Sequence, residues 1–195
     1  MQSKNGLDVK KLVGVAVFVA VVVALQILGS FIRFGAFSVS LVLVPIVVGA
    51  SVYGAATGAL LGGAFGIVVL INCANGVDIG GYMLWSANPP LTAALCLLKG
   101  VFAGYAAGSL YARLSKINKF FGVLSAAVIC PVVNTGIFIL AMICFYRETL
   151  VLWAGETHFL YYAFIGLAGV NFLLELCANI VLCPAAARII KAVNL

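Results

Sequence analysis

Asn171, Glu175 and Asn179 recur at intervals of four in an otherwise apolar stretch. In a helix that spacing stacks all three side chains on one face. A carboxyl group between two amides makes a row of hydrogen-bonding groups for a polar ligand, but it has no second acid for paired-carboxylate chemistry. Lys99 is a further charge set inside an apolar segment, at a depth close to that of Glu175. Either the two form an ion pair that ties their helices together, or one or both line an aqueous cavity. Asn134 follows Pro131 in Pro-Val-Val-Asn-Thr-Gly, so a buried amide sits beside a turn whose carbonyls have lost a backbone donor. Its partner is an adjacent helix or a ligand. Asn75, Asp78, Tyr82, Trp85 and Arg147 lie between apolar segments, where they are available to close over a pocket. For Tyr82 and Trp85, anchoring at the membrane interface is the plainer alternative.

Metal and enzyme chemistry find little support in the same residues. The histidine count is one, His158, and the six cysteines are scattered with no CxxC pair, so they read as small buried hydrophobes. HExxH, GxSxG and P-loop patterns are absent. No cofactor is expected, and any ATP must be used by another subunit.

The elements that position these groups are membrane helices. Hydrophobic residues make up 65% of the chain and charged residues 8%, with a mean hydropathy of +1.25. That excludes a soluble domain. A span needs about 20 apolar residues, so 195 residues hold six spans and no soluble catalytic or nucleotide-binding domain. The expected fold is an all-α membrane protein, one six-helix domain over 1–195. Spans fall at about 9–30, 39–53, 58–73, 91–113, 120–146 and 159–191. The run at 12–28 is longer than a signal-peptide core and lacks an A-x-A site, so it reads as a retained first helix. The stretch NGVDIGGYMLWSANPP (75–90) reads as an ordered outer loop, and 147–158 as another.

Charge gives the orientation. Lys4, Lys10, Lys11, Arg113, Lys116, Lys119, Arg188 and Lys191 fall on one side if the chain crosses six times, whereas Arg33 and Arg147 fall on the other. The positive-inside rule then makes both termini cytoplasmic. Arg33 and Gly35 mark the first outer turn. The net charge of +6 is dispersed over helix ends, which suits anionic lipid better than nucleic acid. Small residues form ladders: Gly54, Gly58, Gly62 and Gly66; Gly100, Gly104 and Gly108; Ala16, Ala20 and Ala24. The glycine ladders read as internal helix contacts. The alanine ladder faces either its neighbours or a separate membrane subunit.

The six short spans, the alanine ladder and the polar stretch after the third span resemble an S component, the substrate-binding membrane subunit of energy-coupling factor (ECF) vitamin transporters. LVPIVVGASVYGAATGALLGGAFG (43–66), LLKGVFAG (97–104) and CPVVNTGIF (130–138) are similar to the pantothenate-type branch. The resemblance implies a six-helix bundle with an outward-opening cavity capped by loops. It also implies docking of Ala16, Ala20 and Ala24 on a membrane coupling subunit driven by two cytoplasmic ATPases, and toppling of the bundle to release a vitamin inside a prokaryotic cell. Lys99 or Arg147 would neutralise an acidic vitamin, while Asn134, Asn171 and Asn179 would meet its other polar atoms. Two alternatives stand beside this: an assembly protein whose polar residues bind helices together, and a self-sufficient transporter with Glu175 as proton relay.

Overall fold

Glycine decides the centre of the molecule. The structure, a computed structural model, describes residues 3–31, 33–34, 37–38, 42–167 and 169–193. Helices α3 (Ala55–Ala74) and α5 (Pro89–Leu114) run antiparallel along their glycine ladders. A Cβ added at Gly62 would fall on the Gly100 carbonyl oxygen, and one added at Gly58 on that of Gly104. Backbones this close have no room for a side chain, and in lipid such contact replaces the hydrophobic drive that joins helices in water. Gly58, Gly62 and Gly66 of the first ladder and the whole of the second are therefore internal, whereas Gly54 is exposed and lies before α3.

Among the described residues, five helices are long and apolar enough to cross a membrane: Val9–Gly29 within α1 (Ser3–Gly29), then α3, α5, α6 (Lys119–Phe145), and the run Phe159–Ala192. The sixth expected span is shorter than predicted. Helix α2 (Leu43–Tyr53) has eleven residues, about 16 Å of helix and roughly half a bilayer core. Gly54, at φ +97°, ends it at a conformation open to glycine, and α3 follows at once. Eight of the eleven residues of α2 are buried, so it is a core helix wedged among the others. Its expected start at 39–41 lies outside the described residues.

Two expected loops are helical. Within 75–90, α4 spans Ile79–Ala87, started by Asp78, whose Oδ1 accepts from Gly81 N at 2.7 Å. Gly80 and Gly81 suggested a loop, but Gly81 gives room for Cys73 beneath it. Asn88 then caps α5, with Pro89 and Pro90 in the first helical positions, where a missing N–H does no harm. The 147–158 stretch likewise contains α7 (Arg147–Ala154). The last span is interrupted: α8 (Phe159–Tyr161) leads to a π-helical turn (Tyr162–Leu167), then to α9 (Gly169–Val193). Gly166 and Gly169 lower helix propensity at that break. The first outer turn is a two-residue antiparallel ladder, Arg33–Phe34 on Phe37–Ser38, and Gly35 lies outside the described residues.

The two ends of the bundle differ. Thr92 at the start of α5 meets Tyr146 at the end of α6, and Asn72 near the end of α3 meets Ser30 beyond α1. The α4 and α7 helices cover this end. At the opposite end stand Lys10 and Lys11 of α1, Arg113 and Lys116 after α5, Lys119 of α6, and Arg188 and Lys191 of α9. There Cys183, Ala186 and Ile190 of α9 pack with Val48 and Val123.

Candidate functional site

Between α4 and the middle of the bundle lies a cavity of about 760 Å³ of empty space, counted with its open mouth. Seven elements wall it. Helix α1 contributes Gln26; α3 contributes Val69 and Cys73; Asp78, Gly81 and Leu84 close it from the α4 segment. Helix α5 gives Thr92, Leu95, Cys96 and Lys99, and α6 gives Asn134, Thr135 and Phe138. The π-helical turn gives Leu167, and α9 gives Asn171, Phe172 and Glu175.

Lys99 stands between two aromatic rings. Its Nζ stands 5.7 Å from the ring centre of Phe65 and 5.6 Å from that of Phe138. Two ring faces attract an ammonium and leave its N–H donors directed elsewhere. Asn134 and Glu175 are each 5% exposed, and Gln26 is 1% exposed. The side-chain oxygens of Gln26, Asn134 and Asn171 are buried and have no hydrogen-bond partner among the described residues. Buried polar atoms are satisfied in the great majority of cases, so several unpaired oxygens on one hollow make it the candidate site for a polar ligand. Gln26 is held in place from outside the cavity. Ser30 Oγ donates to the Gln26 backbone oxygen at 2.7 Å and accepts from Asn72 Nδ2 at 2.6 Å.

The roof is fixed by a hydroxyl cluster. Tyr146 Oη lies 2.7 Å from Thr92 Oγ1 and 3.2 Å from the Asn88 carbonyl oxygen, joining the end of α6 to the start of α5. Burial, the larger effect, pushes the Tyr146 phenol up, while the bond with Thr92 pulls it back. The phenol stays protonated at neutral pH and keeps its O–H as a donor. Cys73 and Cys96 share the wall as free thiols, 4.0 Å apart.

Lys99, Asp78, Asn134, Asn171 and Glu175 are brought into one lining. Asn179 shares the α9 face with Asn171 and Glu175, but it stays behind the lining and donates from Nδ2 to the Glu175 backbone oxygen at 2.8 Å. Arg147 stands at the surface of α7 with its guanidinium 5.3 Å over the Phe159 ring. Asn75 and Tyr82 are exposed, Trp85 is half-buried, and none of them lines the cavity. Their positions follow from α4: a helix there sends Tyr82 away from the face that carries Gly81 and Leu84. Gln26, Thr92 and Phe138 join the lining without having been singled out. Gln26 carried a readable signal, a lone amide near the end of an apolar run.

Ala16, Ala20 and Ala24 are exposed on α1, on the side opposite Gly14, Phe18, Val22 and Gln26, which face inward. The ladder therefore points out of the bundle. Only 17% of the apolar window of α1 is buried, against 44% for α3 and α5, so this helix is laid along the side of the core.

Over residues 10–187 the chain matches the family model of the ECF transporter, substrate-specific component. The chain belongs to that family. No curated protein is significantly similar to it. As an S component it is a multi-pass membrane protein and a transporter subunit of a non-enzymatic family, one that associates with an ECF module and a small-molecule substrate.

Proposed function

We propose that this S component captures a water-soluble vitamin from outside a prokaryotic cell and carries it inward when docked on a motor. The observation that carries the reading is the cavity itself: a hollow with orphaned amides and one ammonium, at the end of the bundle opposite the lysine and arginine clusters. With the positive-inside rule, those clusters make the far end cytoplasmic and the cavity mouth outward. Both termini then lie in the cytoplasm. Pantothenate is the first candidate substrate, on the similarity of 43–66, 97–104 and 130–138 to that branch. Its carboxylate suits Lys99, and its hydroxyls and amide suit Asn134 and Asn171.

In this reading Ala16, Ala20 and Ala24 form the face that meets the membrane coupling subunit, since small residues let another helix approach closely. Two cytoplasmic ATPases supply the energy, and the bundle topples to expose its cavity inward. The chain itself holds no cofactor. The reading in which polar residues only join helices is weakened by the side-chain oxygens of Gln26, Asn134 and Asn171, which have no partner among the described residues. A thermal-shift screen of the purified protein against water-soluble vitamins tests the proposal. A rise in unfolding temperature with one or a few of them is expected; no rise with any would contradict it.

A further inference from the structure

We infer that the groove between α5 and α6 at the cation-rich end is a binding site for one anionic phospholipid. An acyl chain lies in the groove and the phosphate meets Arg113, Lys116 and Lys119. This does not depend on what the cavity at the other end holds. The groove has about 870 Å³ of empty space, counted with its open side. Leu110 and Leu114 of α5 form one wall, and Phe121, Leu124 and Val128 of α6 form the other. Positions 121, 124 and 128 share a helix face and carry it over about 10 Å of α6. Among the described residues Ser125 is the one polar side chain of the lining, and its Oγ donates to the Gly122 backbone oxygen at 2.9 Å. The walls therefore offer hydrocarbon, which suits an acyl chain and gives a polar solute nothing to bind.

The mouth of the groove is cationic. Arg113, Lys116 and Lys119 are exposed, and their chain neighbours Leu114 and Ile117 belong to the lining. No acidic residue occurs between Asp78 and Glu148, so this stretch holds no carboxylate to offset the three charges. The turn that carries them lies directly on α6, since a Cβ added at Gly122 would stand 2.9 Å from Ser115. Asn118 closes the same turn, its Oδ1 accepting from Phe120 N at 2.8 Å. The cations are thus held at one end of the groove. Ile117 is 83% exposed and Phe121 61%. Apolar side chains so bare beside three charges fit the boundary of headgroups and acyl chains, where basic side chains rest their stems on hydrocarbon and reach phosphate with their heads.

A docked protein is the other way to cover such a face, and the arrangement of helices favours lipid. Helix α1, which presents the alanine ladder, packs on α2 and α3, whereas α6 packs on α5 and α9. The groove opens on a different side of the bundle from the ladder, so a partner seated on the ladder leaves it facing the bilayer. A zwitterionic lipid has the same chains but no net charge, and three cations without a nearby acid in the chain select an anionic headgroup.

The test is native mass spectrometry of the full chain in mild detergent, titrated with dioleoyl phosphatidylglycerol, dioleoyl phosphatidylcholine and soluble glycerol phosphate. Wild type, the double variant Lys116→Gln/Lys119→Gln, and Val128→Trp are compared, with unfolding temperature as the control for folding. One phosphatidylglycerol is expected to bind wild type about tenfold or more tightly than phosphatidylcholine. Each cation near a charged surface contributes about fivefold, so the double variant is expected to lose about 25-fold for phosphatidylglycerol and little for phosphatidylcholine. Val128→Trp, which fills the groove, is expected to weaken both lipids. Equal binding of the two lipids by wild type, or unchanged phosphatidylglycerol affinity in the folded double variant, overturns the inference. Displacement of the lipid by glycerol phosphate would make a free anion the ligand, and dimers in place of lipid adducts would make a second copy the occupant; either result also overturns it. If Val128→Trp does not fold, the exposed lysine pair carries the test.

Discussion

Lys99 and Glu175 set the chemistry of the site at the scale of single residues. An ammonium within an apolar helix is costly unless paired or wetted, and here two phenyl faces and an open cavity supply the surroundings. An acidic ligand would complete them. Lys99→Met is expected to weaken an acidic ligand by about 1.5–3 kcal/mol, the range for a hydrogen bond to a charged group. Calorimetric titration checks this, and equal affinity in the variant would assign Lys99 a packing role alone. The polar row on α9 was legible from its spacing of four, and two of its three members reached the cavity. Asn179 did not, because a side chain one turn deeper finds the Glu175 backbone oxygen before it finds the hollow. Spacing gives a face of a helix; which part of that face is open depends on how neighbouring helices end.

At the scale of elements, the α3–α5 contact is the seam on which the cavity is built. Lys99 and Cys96 sit on the same helix as Gly100 and Gly104, so any separation of the two backbones moves the wall. Gly62→Val places two methyl groups against the Gly100 carbonyl, and overpacking of this kind costs about 1–3 kcal/mol or more. A lower unfolding temperature in detergent is expected, and an unchanged one would show that the seam yields easily. Ala20→Trp, on the exposed side of α1, is expected to leave ligand binding intact while abolishing uptake by the assembled transporter. Loss of binding in that variant would mean the ladder supports the bundle from within. The ladders themselves were plain in the sequence because close helix contact in lipid demands small residues at fixed intervals. What escaped were α4, hidden by Gly80 and Gly81 despite the Asp78 cap, and the short α2, whose end at Gly54 leaves eleven residues where a span was expected. Caps and breaks are decided by one or two residues, whereas a span is announced by about twenty.

For the whole molecule, the division between a cation-rich end and a cavity end is what the proposed carrier role rests on. The charge pattern was readable from the sequence; the cavity depended on the long helices and the α4 segment meeting as they do. Transport against a gradient needs an energy source, and in the proposed reading this chain supplies only the site and a docking face. Reconstituted alone in liposomes, the protein is therefore expected to give no accumulation of vitamin under an imposed proton gradient, and uptake driven by that gradient would revive Glu175 as a relay. The most direct measurement is equilibrium binding of radiolabelled pantothenate, or of the vitamin found by the screen, to the purified chain without any partner. The account predicts saturable, sub-micromolar binding with one molecule per chain, weakened in Asn134→Leu. Absence of saturable binding by a folded chain across the water-soluble vitamins would contradict it.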